Sequence, residues 1–394
     1  MTDKRTEMDF DVIIIGAGAS GTACAAAASQ RGLKTAVLEH CARGLNKVKI
    51  SGGGRCNFTN LNAEASAYVS QNPKFALSAL RQFSQHDFIK MMQDEKIAYY
   101  EKTQGQLFCR DSSDAIIKML QKQAQKAKFF YNMRIGNIEK NGEIFEVTAN
   151  GETFKAASLV IACGGASYPN IGATEDGYKI AKKFGLKVIP YKPALVPLNL
   201  DNETMKKTLA LKGIALDAEV RCNKFRIREN ILFTHFGLSG PAILQASLYW
   251  NKGDTVCINF LPEENAQAFL LKAKEQTPQK KISSVLKTRF PDRFVNFLLE
   301  GKDGNIGETS NKALAALAEK TGNWQTVPVG TQGFRLAEVT AGGVDTNEIS
   351  SQTMEAKKVK GLFFIGEVLD ITGRLGGYNL QWAWSSGFTA GKYV

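Results

Sequence analysis

The sequence predicts an α/β fold, and three segments in which a short apolar strand runs into glycine predict it. These are "DVIIIGAGASG" from Asp11, "LVIACGG" from Leu159 and "LFFIGE" from Leu362. Strands this apolar are typical of a parallel sheet that helices cover on both faces. Glycine directly after such a strand lets the backbone approach a ligand at the carboxyl edge of the sheet.

The first segment continues into the pattern of a mononucleotide-binding unit. Residues 11–15 predict a strand, residues 22–30 predict an alanine-rich helix that ends near Gly32, and residues 34–38 predict a second strand. A strand, a helix and a strand in this order form a βαβ unit. A structural role alone for the glycines between the first strand and the helix is the weaker interpretation, because the whole unit is present.

Four residues of this unit point to a dinucleotide. Gly16, Gly18 and Gly21 give the spacing G-x-G-x-x-G, and Glu39 follows the second strand. The glycines serve a tight turn, close approach of the backbone to a pyrophosphate, and close helix–strand packing, while the helix N-terminus favours the phosphate charge. Glu39 can accept hydrogen bonds from both ribose hydroxyls, so the unit predicts FAD or NAD.

The third glycine segment favours FAD over NAD. After a predicted strand at residues 362–365 come Glu367 and Asp370, then a turn that leads through Gly376 and Gly377 into a predicted helix from about residue 378 to 391. FAD extends past its pyrophosphate and needs a second protein surface for the ribityl chain and the isoalloxazine ring. Glu367 or Asp370 can bind ribityl hydroxyls, and the main chain at Gly376 and Gly377 can approach the flavin at a helix N-terminus, which stabilises its reduced anion.

The segment "KISGGGRCNFTN", residues 49–60, can continue along the same cofactor. Its glycines admit close backbone contact, Arg55 with Lys47 or Lys49 can balance phosphate charge, and Cys56 and Asn57 can reach the flavin. A surface loop held by turn glycines is the alternative interpretation.

Six motifs together resemble a known family. They are "DVIIIGAGASG", "ISGGGRCNFTN", "ACGGASYPNIGATEDGY", "LFTHFGLSGPAIL", "EVTAGGV" and "GEVLDITGRLGGYNLQWAWSSG". In this order they are similar to the BaiN/YhiN-type bacterial FAD-dependent oxidoreductases, often labelled aminoacetone-oxidase-like, which include bile-acid enone reductases. The resemblance runs from Asp11 to about Gly391 and implies non-covalently bound FAD. With the resemblance, the expected cofactor-binding residues are Gly16, Ala17, Gly18, Ala19, Ser20, Gly21, Glu39, His40, Lys47, Gly53, Gly54, Arg55, Cys56, Asn57, Arg134, Ala162, Cys163, Gly164, Gly366, Glu367, Asp370, Gly376, Gly377, Tyr378, Asn379 and Leu380.

The resemblance also implies the domain organisation. A Rossmann-like FAD-binding domain is expected from both chain ends, residues 1–190 and 336–394, with an inserted β-barrel-like domain at residues 191–335. The sequence agrees, because residues 189–260 show short apolar runs broken by Pro and Gly, as in an all-β piece. Helical periodicity dominates residues 262–322 and predicts a small helical subdomain.

Four residues are candidates for proton transfer or substrate binding. His235 lies beside a glycine-rich turn, and Tyr168 and Arg335 can orient a carbonyl or carboxylate. Cys56 can act as a nucleophile or modulate the flavin. Each also has a plain packing interpretation. No metal is expected, because the seven cysteines form no CxxC pair.

Composition bounds the compartment and the partners. The odd, scattered cysteines favour a reducing cytoplasm, and no apolar run reaches the length of a membrane span. The net charge of +12 is spread along the chain without a block of like charges, so it indicates a solvated surface, and no nucleic-acid partner is expected. The oligomeric state is open.

Three functions remain open from the sequence. The favoured one is a flavin oxidoreductase acting on a small or steroid-like organic substrate. NADH or NADPH is expected as a transient co-substrate at the flavin, because no second G-x-G-x-x-G follows a strand in the middle of the chain. The alternatives are a flavoprotein that modifies tRNA and a flavin-binding module without turnover of its own.

Overall fold

The computed structural model describes residues 8–394, which divide into two compact units. The first unit combines the chain up to Pro193 with Glu338–Val394, and the second unit is Ala194–Ala337. The first unit is therefore discontinuous in sequence, and the second is one continuous stretch.

Up to Pro193 the first unit carries most of its strands and helices. The strands are β1 (Phe10–Ile15), β2 (Thr35–Leu38), β3 (Asn57–Asn60), β4 (Tyr68–Val69), β5 (Tyr99–Glu101), β6 (Gln106–Cys109), β7 (Lys128–Phe130), β8 (Ile135–Asn141), β9 (Ile144–Ala149), β10 (Glu152–Ile161) and β11 (Val188–Ala194). The helices are α1 (Ala19–Gln30), α2 (Asn46–Gly54), α3 (Ala76–Gln82), α4 (Gln85–Asp94), α5 (Ser113–Gln123) and α6 (Asp176–Lys183).

The second unit joins an antiparallel sheet to helices. Its strands are β12 (Leu198–Asn199), β13 (Ala215–Cys222), β14 (Phe225–Phe233), β15 (Gly237–Ser239), β16 (Val256–Asn259), β17 (Trp324–Thr326) and β18 (Gly330–Thr331), in the order β17-β16-β13-β14-β15-β12-β18. Its helices are α7 (Asn202–Thr208), α8 (Pro241–Tyr249), α9 (Ala266–Gln276), α10 (Ile282–Leu286), α11 (Asp292–Leu299) and α12 (Asn311–Gly322).

The all-β pattern over residues 189–260 does not reveal two of these helices. Helix α8 begins at Pro241, whose fixed φ suits the first helical turn, and it packs in the core of the second unit through Ala242, Ile243 and Ala246. A helix buried on most sides carries no amphipathic period, so its apolar run resembles a strand in the sequence. Helix α7 is short and is capped by the Asp201 side chain.

The chain then returns to the first unit and completes its sheet. The last elements are β19 (Val339–Val344), β20 (Leu362–Phe364), β21 (Thr372–Gly373) and α13 (Tyr378–Tyr393). The main sheet has the order β7-β2-β1-β10-β9-β8, and β20 also pairs with β10. The pairs β7–β2, β2–β1, β1–β10 and β10–β20 are parallel, whereas the pairs β10–β9 and β9–β8 are antiparallel. The predicted α/β Rossmann-like fold is confirmed.

Helix α13 packs directly on α1 through small residues. A Cβ added at Gly387 would lie 2.8 Å from the Ala23 Cβ, and one at Gly391 would lie 2.5 Å from the Ala27 Cβ. Glycine and alanine at these positions let the two helix backbones approach closely, so the last helix of the chain covers the helix that follows the first glycine motif.

Candidate active site

The carboxyl ends of four parallel strands meet at one edge of the main sheet. Ile15 at the end of β1 pairs with Leu38 of β2 and with Ile161 of β10, and Ile161 pairs with Phe364 of β20. The three glycine segments and Glu39 therefore all begin at the same edge. In open α/β sheets this edge is where ligands bind.

The first glycine motif has a different steric constraint at each glycine. A Cβ at Gly16 would lie 2.5 Å from the Ala162 carbonyl oxygen, and a Cβ at Gly21 would overlap the Gly16 carbonyl oxygen. A Cβ at Gly18 would meet nothing within 4 Å, and the Gly18 backbone is extended with φ −75°. Gly16 and Gly21 are thus required by the packing of the protein, while Gly18 faces open space at the start of α1.

Glu39 is held by the backbone of the same loop. It is buried, its Oε2 accepts a hydrogen bond from the Ala17 N–H at 2.8 Å, and its Oε1 accepts one from the Cys41 N–H at 2.8 Å. Each carboxylate oxygen has two lone pairs, so each keeps acceptor capacity after one backbone bond. The acid is fixed at the end of β2, and its Oε2 keeps acceptor capacity for a further hydroxyl donor.

Glu39, His40 and Cys41 also form a compact polar group. Within residues 8–394, the possible ligand atoms of these three side chains lie within 4.8 Å of one another. The His40 Nδ1 lies 3.2 Å from the Glu39 Oε1, and the Cys41 Sγ lies 3.4 Å from the His40 Nε2. Hydrogen bonding accounts for this grouping, and we assign no metal to it.

The basic, glycine-rich segment begins as a helix and ends in left-handed backbone. Helix α2 is interrupted at Ser51, and Gly52, Gly53 and Gly54 have φ values of 58°, 67° and 83°. A Cβ at Gly53 or Gly54 would meet nothing within 4 Å, as at Gly18. Left-handed backbone over three residues requires glycine and leaves an uncovered stretch of main chain.

Cys56, which follows this stretch, is a packing residue. Its side chain is fully buried in a cluster with Val48, Phe58 and Cys109, and burial raises the pKa of its thiol to about 12. A thiol in this state is not an accessible nucleophile. The structure therefore does not support the catalytic role suggested for Cys56.

Strand β3 joins the glycine-rich segment to the turn before α13. With its amide oriented to satisfy both neighbours, the Asn57 side chain accepts a hydrogen bond from the Gly377 N–H at 3.2 Å. The Asn60 Nδ2 donates to the Gly376 carbonyl at 2.9 Å, and the Thr59 hydroxyl donates to the Gln381 side chain at 2.6 Å. These bonds bring the sequence-distant "CNFTN" and "GGYNLQ" segments together, as one extended ligand would require.

Further hydrogen bonds fix the remaining predicted residues of this region. The Asn379 side chain accepts from the Gly373 N–H at 2.8 Å and so closes the turn that enters α13. Asp370 is buried, and its Oδ2 accepts from the Gln71 N–H at 2.9 Å. Burial raises the pKa of the Asp370 carboxyl. Asp370 thus fastens the loop after β4.

Lys47 and Glu367 form an ion pair between two of the converging segments. The Lys47 Nζ lies 2.7 Å from the Glu367 Oε2, and both side chains are partly exposed. The Glu367 Oε1 accepts a hydrogen bond from the Thr340 N–H at 2.9 Å. Thr340 in turn contacts Ser167 through its hydroxyl, at 3.1 Å from the Ser167 N and 3.0 Å from the Ser167 Oγ.

Tyr168 and Glu338 lie beside this network, and the Glu338 carboxylate acts electrostatically on the Tyr168 phenol. The Lys47 Nζ lies 5.9 Å from the centre of the Tyr168 ring. Burial and the neighbouring Glu338 carboxylate raise the pKa of Tyr168 to about 12. Desolvation by the surrounding protein raises the pKa of the Glu338 carboxyl, and the Lys47 charge opposes that rise. The Glu338 residue nevertheless keeps an exposed face.

Glu338 was not recognised in the sequence. It stands in "RLAEVTAGG" as an acid directly before the buried strand β19 and its two glycines. Charged residues at strand ends are common, so this signal alone does not separate Glu338 from an exposed surface acid.

The predicted arginines and His235 are exposed. His235 and Arg335 are exposed residues of the second unit, and His235 occupies the turn between β14 and β15 beside Phe236. Arg55 is exposed, with its guanidinium 3.4 Å from the Tyr100 hydroxyl. Arg134 is exposed next to the end of β2 and β7, and its N–H donates to the Asn150 side chain.

None of the helices in residues 8–394 is long and apolar enough to cross a bilayer.

The chain resembles known proteins over nearly its whole length. A family model described as "HI0933-like protein Rossmann domain" matches residues 10–393. A ribosomal RNA dihydrouridine synthase of Escherichia coli is 45% identical over 391 residues, with 97% of each chain covered. A protein of the same name from Haemophilus influenzae is 42% identical and covers 95% of this chain and 96% of its own. A 3-dehydro-bile acid delta(4,6)-reductase of Clostridium scindens is 31% identical, with 96% and 97% covered.

These relatives overturn one expectation from the sequence. No nucleic-acid partner was expected, yet two relatives similar along the whole chain are named for a reaction on ribosomal RNA. The expectation was wrong because it relied on the spread of charge along the sequence. Basic residues that are distant in sequence can share one face of a folded protein, so the absence of a basic block does not exclude RNA.

Proposed function

The chain belongs to the HI0933-like family of Rossmann-domain flavoproteins, and from this premise we propose that it reduces a uridine of ribosomal RNA to dihydrouridine. One observation carries the proposal: identity of 45% and 42% to two ribosomal RNA dihydrouridine synthases, extending over at least 95% of every chain compared. FAD is the proposed bound cofactor and a reduced nicotinamide nucleotide the proposed electron donor.

The names of the relatives describe one kind of chemistry. Dihydrouridine forms when the C5=C6 double bond of uridine, which is conjugated to the C4 carbonyl, gains two hydrogens. A delta(4,6)-reductase of a 3-dehydro-bile acid likewise saturates carbon–carbon double bonds conjugated to a ketone. In both substrates a hydride is accepted at the carbon remote from the carbonyl and a proton at the adjacent carbon. A site suited to one substrate therefore has the chemical groups needed for the other.

The residues present fit FAD. Open space lies over Gly18, Gly53, Gly54 and Gly164, where added Cβ atoms would meet no protein. The Gly18 loop and the N-terminus of α1 would hold the pyrophosphate, and Glu39 would bind the adenosine ribose. Lys47 and the turn at Gly376 and Gly377 would contact the remainder. Bound there, FAD supplies transfer of a hydride equivalent.

An RNA partner agrees with the charge of the chain. Fifty lysine and arginine residues oppose 38 aspartate and glutamate residues, which gives the net charge of +12. Phosphate contacts by such residues release condensed counterions, so affinity for RNA falls steeply as salt rises. We expect binding of a ribosomal RNA fragment to weaken with salt, whereas reduction of a small neutral enone should be nearly insensitive to it.

The test uses purified protein reconstituted with FAD. Ribosomal RNA stripped of protein and lacking dihydrouridine is incubated anaerobically with NADH or NADPH, and the digested nucleosides are separated by mass spectrometry. A gain of two mass units in uridine, dependent on protein and on reduced nicotinamide, supports the proposal. A flavin that is reduced by the nicotinamide but produces no dihydrouridine in ribosomal RNA would refute it.

The second candidate is reduction of a small or steroid-like enone, which the 31% identity to the bile-acid reductase favours. The same preparation is therefore offered a 3-keto-Δ4 steroid in place of RNA. Consumption of the steroid without any reaction of RNA would assign the chain to this second function.

A further inference from the structure

Four titratable side chains from four separate segments converge in the first unit. Lys47 lies on α2, Tyr168 follows β10, Glu338 precedes β19, and Glu367 follows β20. Convergence of charged and phenolic groups from such distant segments, at the edge where strands β10 and β20 end, marks a candidate site for proton transfer.

The backbone of Tyr168 is held in an uncommon conformation. Its φ is +65° and its ψ is +57°, in the left-handed region, and Pro169 follows it. For a residue with a side chain this conformation is less favourable than a right-handed one. Such outliers persist where the surroundings hold them, and they concentrate at functional sites.

The two segments that bear Tyr168 and Glu338 are fastened to each other next to these residues. Ser167 precedes Tyr168 and contacts the Thr340 hydroxyl at 3.0 Å, while Thr340 is two residues beyond Glu338. Ser167 and Thr340 are fully buried, so their hydrogen bonds are shielded from water. The Ser167–Thr340 hydrogen bonds thus hold the loop that bears Tyr168 against the segment that bears Glu338.

From this arrangement we propose that Tyr168 donates the proton in the double-bond reduction and that Glu338 returns a proton to Tyr168 from solvent. The inference rests on the proposed function and deepens it. Tyr168 is partly exposed and Glu338 is exposed, as a donor that meets substrate and an acid that exchanges protons with solvent require. Lys47 is a positioning residue, because its ion pair with Glu367 holds its charge beside the Tyr168 ring.

The step balances in atoms and electrons. Bound reduced FAD, regenerated by a reduced nicotinamide, would supply the hydride equivalent that the uridine C6 accepts, and the π electrons of C5=C6 would move toward the C4 oxygen. The O–H bond of Tyr168 then breaks as a C–H bond forms at C5. The Tyr168 phenolate then takes back a proton that the Glu338 carboxylate has accepted from solvent. The raised pKa of Tyr168 keeps the phenol protonated at neutral pH, and the raised pKa of Glu338 lets its carboxylate accept a proton from solvent more readily than an ordinary glutamate does.

The experiment compares Tyr168→Phe and Glu338→Gln with two matched controls. Tyr393→Phe removes a hydroxyl from a residue that is 50% exposed near the end of α13. Glu143→Gln neutralises an exposed acid whose nearest cation, Lys360, is 4.0 Å away. Reduction of the bound flavin by nicotinamide and its reoxidation by RNA or by the enone are followed separately in stopped flow.

We expect Tyr168→Phe to slow reoxidation by substrate at least about 100-fold, since general acid catalysis contributes about 10²–10⁴-fold. Glu338→Gln should slow reoxidation by about 10-fold and flatten its pH profile, and Glu338→Asp should restore part of the rate. Flavin content, flavin reduction and the affinity of the oxidised protein for an RNA fragment should stay within about twofold of wild type. Both controls should match wild type.

A second readout follows the position of the proton. In D₂O the wild type should deliver deuterium to one face of the uridine C5, whereas Tyr168→Phe should label both faces because water replaces the fixed donor. Reoxidation of Tyr168→Phe at the wild-type rate with one-face labelling would overturn the role of Tyr168, and an unchanged Glu338→Gln would overturn that of Glu338. Loss of flavin or RNA affinity in either variant would assign that residue to binding instead. A wild type that forms no dihydrouridine in ribosomal RNA would refute the proposed function itself.

Discussion

Substitution of Gly18 by valine separates cofactor binding from folding more cleanly than any other change in the glycine motif. A Cβ at Gly18 would meet nothing within 4 Å, and φ −75° with ψ −167° is extended backbone that valine adopts readily. The protein therefore has no steric reason to reject the side chain. The pyrophosphate proposed to lie over Gly18, in contrast, would clash with the valine side chain.

The expected loss follows from the hydrogen bonds that valine would displace. A phosphate that accepts backbone N–H bonds at the start of α1 gains about 1.5–3 kcal/mol from each charge-assisted bond. Two such bonds amount to about 3–6 kcal/mol, or a fall in FAD affinity of about 10²–10⁴-fold. The free energy of unfolding should be unchanged or slightly higher. Replacing glycine lowers the conformational entropy of the unfolded chain, which stabilises the fold by about 0.4–1 kcal/mol.

The assay titrates apoprotein with FAD by fluorescence quenching and measures urea unfolding on the same preparations. Gly21→Ala is the contrasting variant, since its Cβ would overlap the Gly16 carbonyl oxygen and should destabilise the fold itself. Gly18→Val with wild-type FAD affinity would refute the assignment of the pyrophosphate to this loop. Gly18→Val that fails to fold would refute the steric reasoning.

Three further predictions concern packing, reactivity and pH. Gly387→Val should lower the free energy of unfolding by about 1–3 kcal/mol in urea titrations, because its side chain would push α13 away from α1; Gly304→Ala, whose Cβ would meet nothing within 4 Å, is the control. Cys56→Ala should keep flavin content and turnover within about twofold while costing about 1 kcal/mol of stability, and a 100-fold loss of turnover would contradict its packing role. Asp370→Asn should remove a pH dependence: the raised pKa makes the folded protein hold this proton more tightly than the unfolded chain, so the wild type loses stability as pH rises from the ordinary aspartate pKa through the raised one. If the urea midpoints of wild type and variant differ by the same amount throughout that pH window, the predicted pH dependence is wrong.

Local elements of the first unit were predictable because each follows from a few neighbouring residues. The strand at residues 11–15 is observed as β1, and the helices expected near residues 22–30 and 378–391 are observed as α1 and α13. Buried apolar runs and glycine turns act over one or two turns of chain, so sequence periodicity reports them. The pairing of β10 with β1 and β20 depends on contacts between distant segments, which one sequence does not display.

The candidate site was predictable in its glycines and not in its acids. Gly16 and Gly21 are recognisable because a side chain at either position would clash with nearby backbone atoms. The surroundings of Glu338 and Cys56 were not predictable, because they depend on neighbours that only the fold brings together. Glu338 lies beside Tyr168, and the Cys56 thiol is buried in a hydrophobic cluster. The partnership of Lys47 with Glu367 likewise joins residues that lie 320 positions apart.

The discontinuity of the first unit imposes an order on biosynthesis. The second unit, Ala194–Ala337, is a continuous stretch, whereas β20, α13 and the turn at Gly376 belong to the first unit and are translated after the second. At about 5–20 residues per second, the first β-strands wait on the order of 10 s or more for these partners. A nascent chain that stalls before Glu338 would lack the part of the proposed flavin surface that Glu367 and the turn at Gly376 provide, so FAD capture would report that synthesis has passed this turn.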